Sequence, residues 1–600
     1  MAALITALDN STPVQYGENG HAEYGWSNNI QEKIVQFSFQ LSRTKDNGEA
    51  LQVILRDMLV RLKFLLNKDT QSDRELAKGL LSVLYRMIGQ TRDVIDGKGE
   101  YTLAYMMIYT WHEFYPALAK FALTCFVDVG DKSVHQYGSW KDLKYFCEYV
   151  KSKGGDINHP LVKHSVELMN KQLRKDEVFG DEQNICHDIS KISLAAKWVP
   201  REKSSFGWIY EALACDYFHD IMKTANTAER KVKASLKCKT QYRKLIASLN
   251  RKIDTTQIKQ CGQNWSAIDF NKVTSITVSK QKRSFLNMKK DGKTVRHPEN
   301  QDRIECAEHF KARIKQAVAG EVQIKGKRVG MVDFTSQAID LISKRRSAKS
   351  GYNMYGNDME TIQVEIDLLN SQWRDNSTQT GELDKMIAMV DVSGSMSGDP
   401  MMAAIALGIR IAAKSKLGKR VMTFSSKPTW VNLDGYDNFV DEVEVVQQAD
   451  WGMNTNLLLA FQTILDAIIA SKLSPEEAQD MMLVILSDMQ IDNGDTCDKK
   501  VLYDKVVEMY SQAGMRTHGQ PFKPPHIVFW NLRSTGGAPC LSNQPNVSMM
   551  SAFSPALLNL FCEQGLDAFQ SATPWSVLVT SLENERYKIM AEFFSEEIQV

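Results

Sequence analysis

None of the ten cysteines stands in a CxxC pair; they are scattered from Cys125 to Cys562. That spacing argues against a zinc knuckle or dithiol redox motif and for free thiols in a reducing compartment. No apolar run reaches the roughly 18 residues of a membrane span. The N-terminal MAALITALDNSTP has neither a basic stretch nor a sustained apolar core, so no secretory leader is expected and the cytoplasm is the expected location. The glycine pair of 535-TGGAP-539 is followed by no GK[ST], which excludes a phosphate loop. The adjacent pair Cys186-His187 is accompanied by no further Cys or His ligand close to it in sequence.

What is present is an ordinary globular composition, with 43% apolar and 24% charged residues over 600 positions. That length suggests about three or four domain-sized units, or fewer if one is an extended helical array. The net charge of +1 hides a segregation. Residues 223–349 hold 30 lysines and arginines against 11 acidic residues, an excess of +19, and leave the remainder at −18. Charge that segregates along a chain bears on its partners.

Residues 1–20 are polar and read as a flexible N-terminus. Residues 21–350 read as helical. Apolar residues recur every three or four positions in 49-EALQVILRDMLVRLKFLLN-67, and 103-LAYMMIYTWHEFYPALAKFALTCFV-127 is apolar nearly all round, as one deeply buried helix should be. Amphipathic helices with short polar turns suggest a repeat-like array. Residues 351–383 look like a connector with one short helix. From 384 to 600 the pattern becomes strand–helix alternation: strands at 386–391, 420–425, 429–433, 481–488, 526–532 and 547–553, with helices between and one long helix at 575–594. Continuous apolar strands alternating with helices predict a doubly wound, mostly parallel sheet covered on both faces. The fold class is therefore multidomain, α followed by α/β.

The strand run 386-MIAMV-390 ends in 391-DVSGS-395. Ligands of open α/β sheets bind outside the carboxyl ends of the strands. Three loops there carry oxygen: Asp391, Ser393 and Ser395 after the first strand, Thr455 before a helix, and Asp488 ending 481-MMLVILSD-488. Carboxylates and hydroxyls without His or Cys suit a hard cation, Mg2+ first, with Mn2+ or Ca2+ as alternatives. No histidine lies close by; His518 and His526 are the nearest downstream, and His526 reads as a core or edge residue.

Asp-x-Ser-x-Ser with Thr455 and Asp488 resembles the metal-ion-dependent adhesion site of von Willebrand factor A domains, and all five positions of that pattern are filled. The segments 14-VQYGENGHAEYGWSNNIQEKIVQFSF-39, 191-KISLAAKWVPREKS-204, 421-VMTFSSKPTW-430, 451-WGMNTN-456 and 526-HIVFWNLR-533 are similar to a family of plant and giant-virus proteins that fuse a helical region to a C-terminal von Willebrand factor A-like domain. The arrangement also resembles, more distantly, the Ro (TROVE plus von Willebrand factor A) architecture, in which a helical ring binds structured RNA. The resemblance implies a cation whose open position takes a partner's Asp or Glu, hence a non-enzymatic binding or scaffold protein; a viral member would have a place in the virion. The alternative it implies is RNA binding through the basic helical region. Lys237, Lys239, Arg243 and Lys244 can share one helical surface, and Lys280, Lys282 and Arg283 form another. Such a surface would bind phosphate with strong salt dependence. The same charges also suit a solvated helical face or docking against the acidic remainder.

Overall fold

The chain is described by a computed structural model covering residues 12–43, 46, 48–131, 133–184, 186–292, 294–349, 359–449, 452, 455–492 and 500–599. Residues 1–11, part of the expected connector (351–358) and Cys497 lie outside the described residues.

The chain opens on an antiparallel hairpin, β1 (Val14–Tyr16) and β2 (Ala22–Tyr24). Residues 12–20 are thus not a loose tail. Helix α1 (Ile30–Gln40) follows, capped by the Asn29 side chain, which accepts a hydrogen bond from the Glu32 backbone. The apolar stretch expected as one helix is two, Thr102–Phe114 and Pro116–Cys125. Pro116 lacks a donor, and its ring disfavours helical geometry at Tyr115, which adopts φ −139° and ψ 78°. The basic segment contributes α2 (Ala228–Ile253) and α3 (Ser275–Phe285). Helices α4 (Met331–Lys349) and α5 (Met359–Ser377) complete the helical region, α5 occupying most of the expected connector.

The C-terminal part then alternates. In order come β3 (Met386–Asp391), α6 (Asp399–Lys414), β4 (Arg420–Phe424), β5 (Thr429–Asn432), α7 (Phe439–Gln447), α8 (Leu457–Ala470), β6 (Met482–Ser487), α9 (Leu502–His518), β7 (His526–Asn531) and β8 (Val547–Ser551). The sheet order is β5-β4-β3-β6-β7-β8, parallel except for the antiparallel edge strand β5. The chain winds outward from β3 through β4, then crosses to β6 on the other side. The strand order therefore reverses between β3 and β6, and a doubly wound sheet opens its crevice at the carboxyl ends of those two strands.

Each strand alternates between two apolar layers. Ile387, Met389, Leu483, Ile485, Ile527 and Phe529 face α8 and α9. Ala388, Val390, Val484, Leu486, Val528 and Trp530 face α6 and α7, with α4 and α5 outside them. Gly408 on α6 permits a close approach of that helix to β3: an added Cβ there would stand 2.5 Å from Val390 Cγ2, directly behind Asp391. Gly408→Ala should therefore lower stability by about 1–3 kcal/mol through overpacking. Chemical denaturation would check it, and an unchanged midpoint would contradict the packing.

The first layer is continuous with the helical region. One core runs from Ile34 through Leu249, across the sheet face, to Phe594. The final stretch, expected as one helix, is α10 (Pro574–Leu582) and α11 (Lys588–Glu597). The break has a cause: Asn584 caps the turn, and Arg586 forms a bidentate pair with buried Asp93, both bonds 2.6 Å. Helix α1 packs on β8, where Ser551 Oγ donates to Ser38 O at 2.8 Å. The buried Lys98 amine donates to the same carbonyl and to Ser551 Oγ, at 2.8 and 2.6 Å.

Candidate metal centre at the strand tips

Strands β3 and β6 deliver their last residues to the crevice. Asp391 is fully buried; its Oδ1 accepts from Ser393 N at 3.0 Å and its Oδ2 from Ser487 Oγ at 2.6 Å. The first bond folds the backbone back, and a single 3-10 turn, Gly394–Met396, follows. Gly398 at φ +98° then redirects the chain into α6, with Pro400 in its first turn. This reversal stacks the two serines: Ser393 Oγ lies 3.1 Å from Ser395 Oγ, which donates to Asp488 Oδ1 at 3.3 Å. Asp488 is fully buried too, and Gln490 N donates to the same oxygen at 3.2 Å. Met489, between them, holds the left-handed φ of +61°.

Four of the five oxygen-bearing residues therefore form one hydrogen-bonded set. Thr455 lies on the neighbouring loop, tied to the β6 loop through Asp492, whose side chain accepts from Thr455 N at 2.5 Å while Asp492 N donates to Thr455 O at 3.1 Å. Thr455 is fully buried, and among the described residues its Oγ1 has no hydrogen-bond partner. An unpaired buried hydroxyl costs about 1–3 kcal/mol unless something satisfies it.

The electrostatics match. Burial, reinforced by the neighbouring Asp488 charge and opposed by the serine hydrogen bonds, pushes the Asp391 carboxyl up to about 7. Burial also raises Asp488, against the pull of Gln490 N and Arg533. Two adjacent buried carboxylates call for positive charge. Among the described residues no three His, Cys, Asp or Glu side chains gather as a metal-holding group. A cation here would depend on two carboxylates and neutral hydroxyls. The orphaned Thr455 hydroxyl and the all-oxygen set fit a hard divalent cation.

Three participants escaped sequence reasoning: Ser487, Asp492 and Arg533. Arg533 Nη1 lies 3.2 Å from Asp488 Oδ2 and 3.2 Å from Ser395 O. Its signal was its place two residues beyond β7, at the same end of the sheet. His526 sits at the opposite end of β7, buried, 2.7 Å from Ser548 Oγ, and burial depresses it to about 4.

The basic residues are only partly free. Lys239 and Arg243 pair with Glu202 at 3.3 and 2.8 Å. Lys282 and Arg283 pair with buried Glu365 on α5 at 3.1 and 3.5 Å. Arg345 and Arg346 pair with Glu444 on α7. Lys237, Lys244 and Lys280 are exposed. These six of the thirty basic residues of the segment are thus paired inside the molecule, four of them with Glu365 and Glu444 on helices beside the sheet and two with Glu202 in the helical region.

Among the described residues no helix is long and apolar enough to cross a membrane. Residues 385–592 match a family described as "Domain of unknown function (DUF7788)", and residues 148–297 match one described as "Domain of unknown function (DUF2828)". The chain is similar to a giant-virus protein along nearly its whole length. That relative, "Uncharacterized protein L728" of Acanthamoeba polyphaga mimivirus, is 27% identical over 585 residues, spanning 95% of this chain and 87% of its own.

Proposed function

We propose that residues 384–600 form a von Willebrand factor A-like domain. Asp391, Ser393, Ser395, Thr455 and Asp488 would hold a hard divalent cation, magnesium first, and the cation would hold a carboxylate of an acidic protein partner. The reading rests on one observation: the buried carboxylates of Asp391 and Asp488 are linked through Ser393 and Ser395 at the switch point of a doubly wound sheet, with buried Thr455, whose hydroxyl has no partner among the described residues, on the neighbouring loop. Neutral serine and threonine ligands leave a cation's charge less compensated, so it attracts an incoming anion strongly. The reading is non-catalytic. General-base chemistry needs a titratable group in reach of a bound water; in this reading Asp391 and Asp488 serve as cation ligands instead, and Asp492 is engaged by Thr455 N.

Replacing Ser393 and Ser395 together by alanine removes two oxygens without introducing bulk. Wild type should bind one Mn2+ per chain by electron paramagnetic resonance titration, and the double variant about 100-fold more weakly. Both should unfold at similar temperatures in EDTA. Equal Mn2+ affinity in the two proteins contradicts the assignment.

A further inference from the structure

Arg533 is positioned too firmly to be an incidental surface arginine. Its own N–H donates to Asn531 Oδ1 at 3.0 Å, and Asn531 Nδ2 donates to Phe39 O on α1 at 3.0 Å. The loop that follows is fastened by the fully buried Gln40. Its Oε1 accepts from Thr535 N and Gly536 N at 2.7 and 3.0 Å, and its Nε2 donates to Gly537 O at 2.7 Å. Ala538 then exchanges two backbone hydrogen bonds of 2.9 Å with Tyr24 of β2. Gly537 lies so close to Glu23 that an added Cβ would stand 1.9 Å from its carboxylate carbon. The helical region and the hairpin thus hold the loop beside the strand tips from both sides.

The guanidinium so placed faces one carboxylate. It contacts Asp488 Oδ2, and its side chain remains 29% exposed while that of Asp488 is fully buried. A group in that position has two roles open to it in sequence. Without a cation it is the one ion-pair partner of Asp488 among the described residues. Once a divalent cation neutralises Asp488, the guanidinium is left at the rim with its two-pronged donor geometry turned to solvent, where it matches a carboxylate.

We propose that Arg533 is the second half of the acidic-group receptor: it competes with the cation for Asp488 and, when the cation is bound, pairs with the same partner carboxylate. This rests on the cation-site reading above. It assigns a role to the fused helical region as well, since α1 and the hairpin set where Arg533 stands.

The test measures two affinities on the full chain. Calorimetry gives the Mg2+ affinity, and fluorescence anisotropy with a fluorescein-labelled polyglutamate peptide at saturating Mg2+ gives the carboxylate affinity. Arg533→Gln should bind Mg2+ about tenfold more tightly and the peptide about tenfold more weakly. Opposite shifts are the signature, because general damage to the site would weaken both. Arg533→Lys keeps the charge without the fork, so its Mg2+ affinity should stay near wild type while peptide binding falls; it carries the test should Arg533→Gln fail to fold. Unchanged Mg2+ affinity in Arg533→Gln, or undiminished peptide binding, overturns this inference alone. Absence of Mg2+ binding in wild type overturns it together with the cation-site reading.

Discussion

Asp391→Asn should make the cation-free protein more stable at pH 8 and abolish its response to magnesium. Burial holds the Asp391 carboxyl near 7 in the fold against an ordinary value of 3.8. Between those values the folded protein keeps a proton that the unfolded chain has lost. Its contribution to stability is therefore highest below about pH 4, declines as pH rises, and reaches its full penalty above about pH 7. Asparagine removes the charge and can keep both contacts, accepting from Ser393 N and donating to Ser487 Oγ. Relief of a buried unpaired charge is worth about 1–4 kcal/mol. Wild type should instead recover stability through the cation, by about 2.7 kcal/mol at a free concentration a hundredfold above Kd. Urea unfolding at pH 5 and pH 8, in EDTA and in MgCl2, separates these effects. A variant no more stable than wild type at pH 8 in EDTA, yet still stabilised by magnesium, contradicts the account.

Arg92→Met should lower stability by about 3–5 kcal/mol. Arg92 and Asp142 are both fully buried and bound by two hydrogen bonds, of 2.6 and 2.9 Å. Tyr105 Oη and Ser139 N also donate to Asp142, at 2.6 and 2.8 Å, and the guanidinium lies 3.9 Å over the Tyr101 ring. Methionine fills much of the volume but strands the carboxylate in an apolar core shared with the sheet. The double variant Arg92→Met, Asp142→Leu should recover part of the loss, because it leaves neither charge behind. Urea midpoints check both; a single-variant loss under about 1 kcal/mol would show that the pair is not holding this core.

The strand tips were legible because the chemistry is local. Asp391, Ser393 and Ser395 follow a continuous apolar run, and a buried parallel strand admits few other patterns. Asp488 ends a second such run. Helix α7 was not read, since FVDEVEVVQ alternates acidic and β-branched residues as a strand does; its signal was the capping residue Asn438, which accepts from Asp441 N. The hairpin strands of three residues are too short to show a period. Gln40 and Arg533 carried no signal of their joint role because the fold brings them together across almost the whole chain. The charge excess of 223–349 was countable, but the pairing of six of its basic residues with Glu202, Glu365 and Glu444 depends on packing that the count does not contain.

The most direct measurement is a crystal structure grown in MnCl2, with data collected at the manganese edge. The account expects one anomalous peak contacting oxygens of Asp391, Ser393, Ser395, Thr455 and Asp488, with Arg533 moved off Asp488. Manganese bound elsewhere on the molecule, with no peak at these strand tips and Arg533 still paired to Asp488, would contradict it.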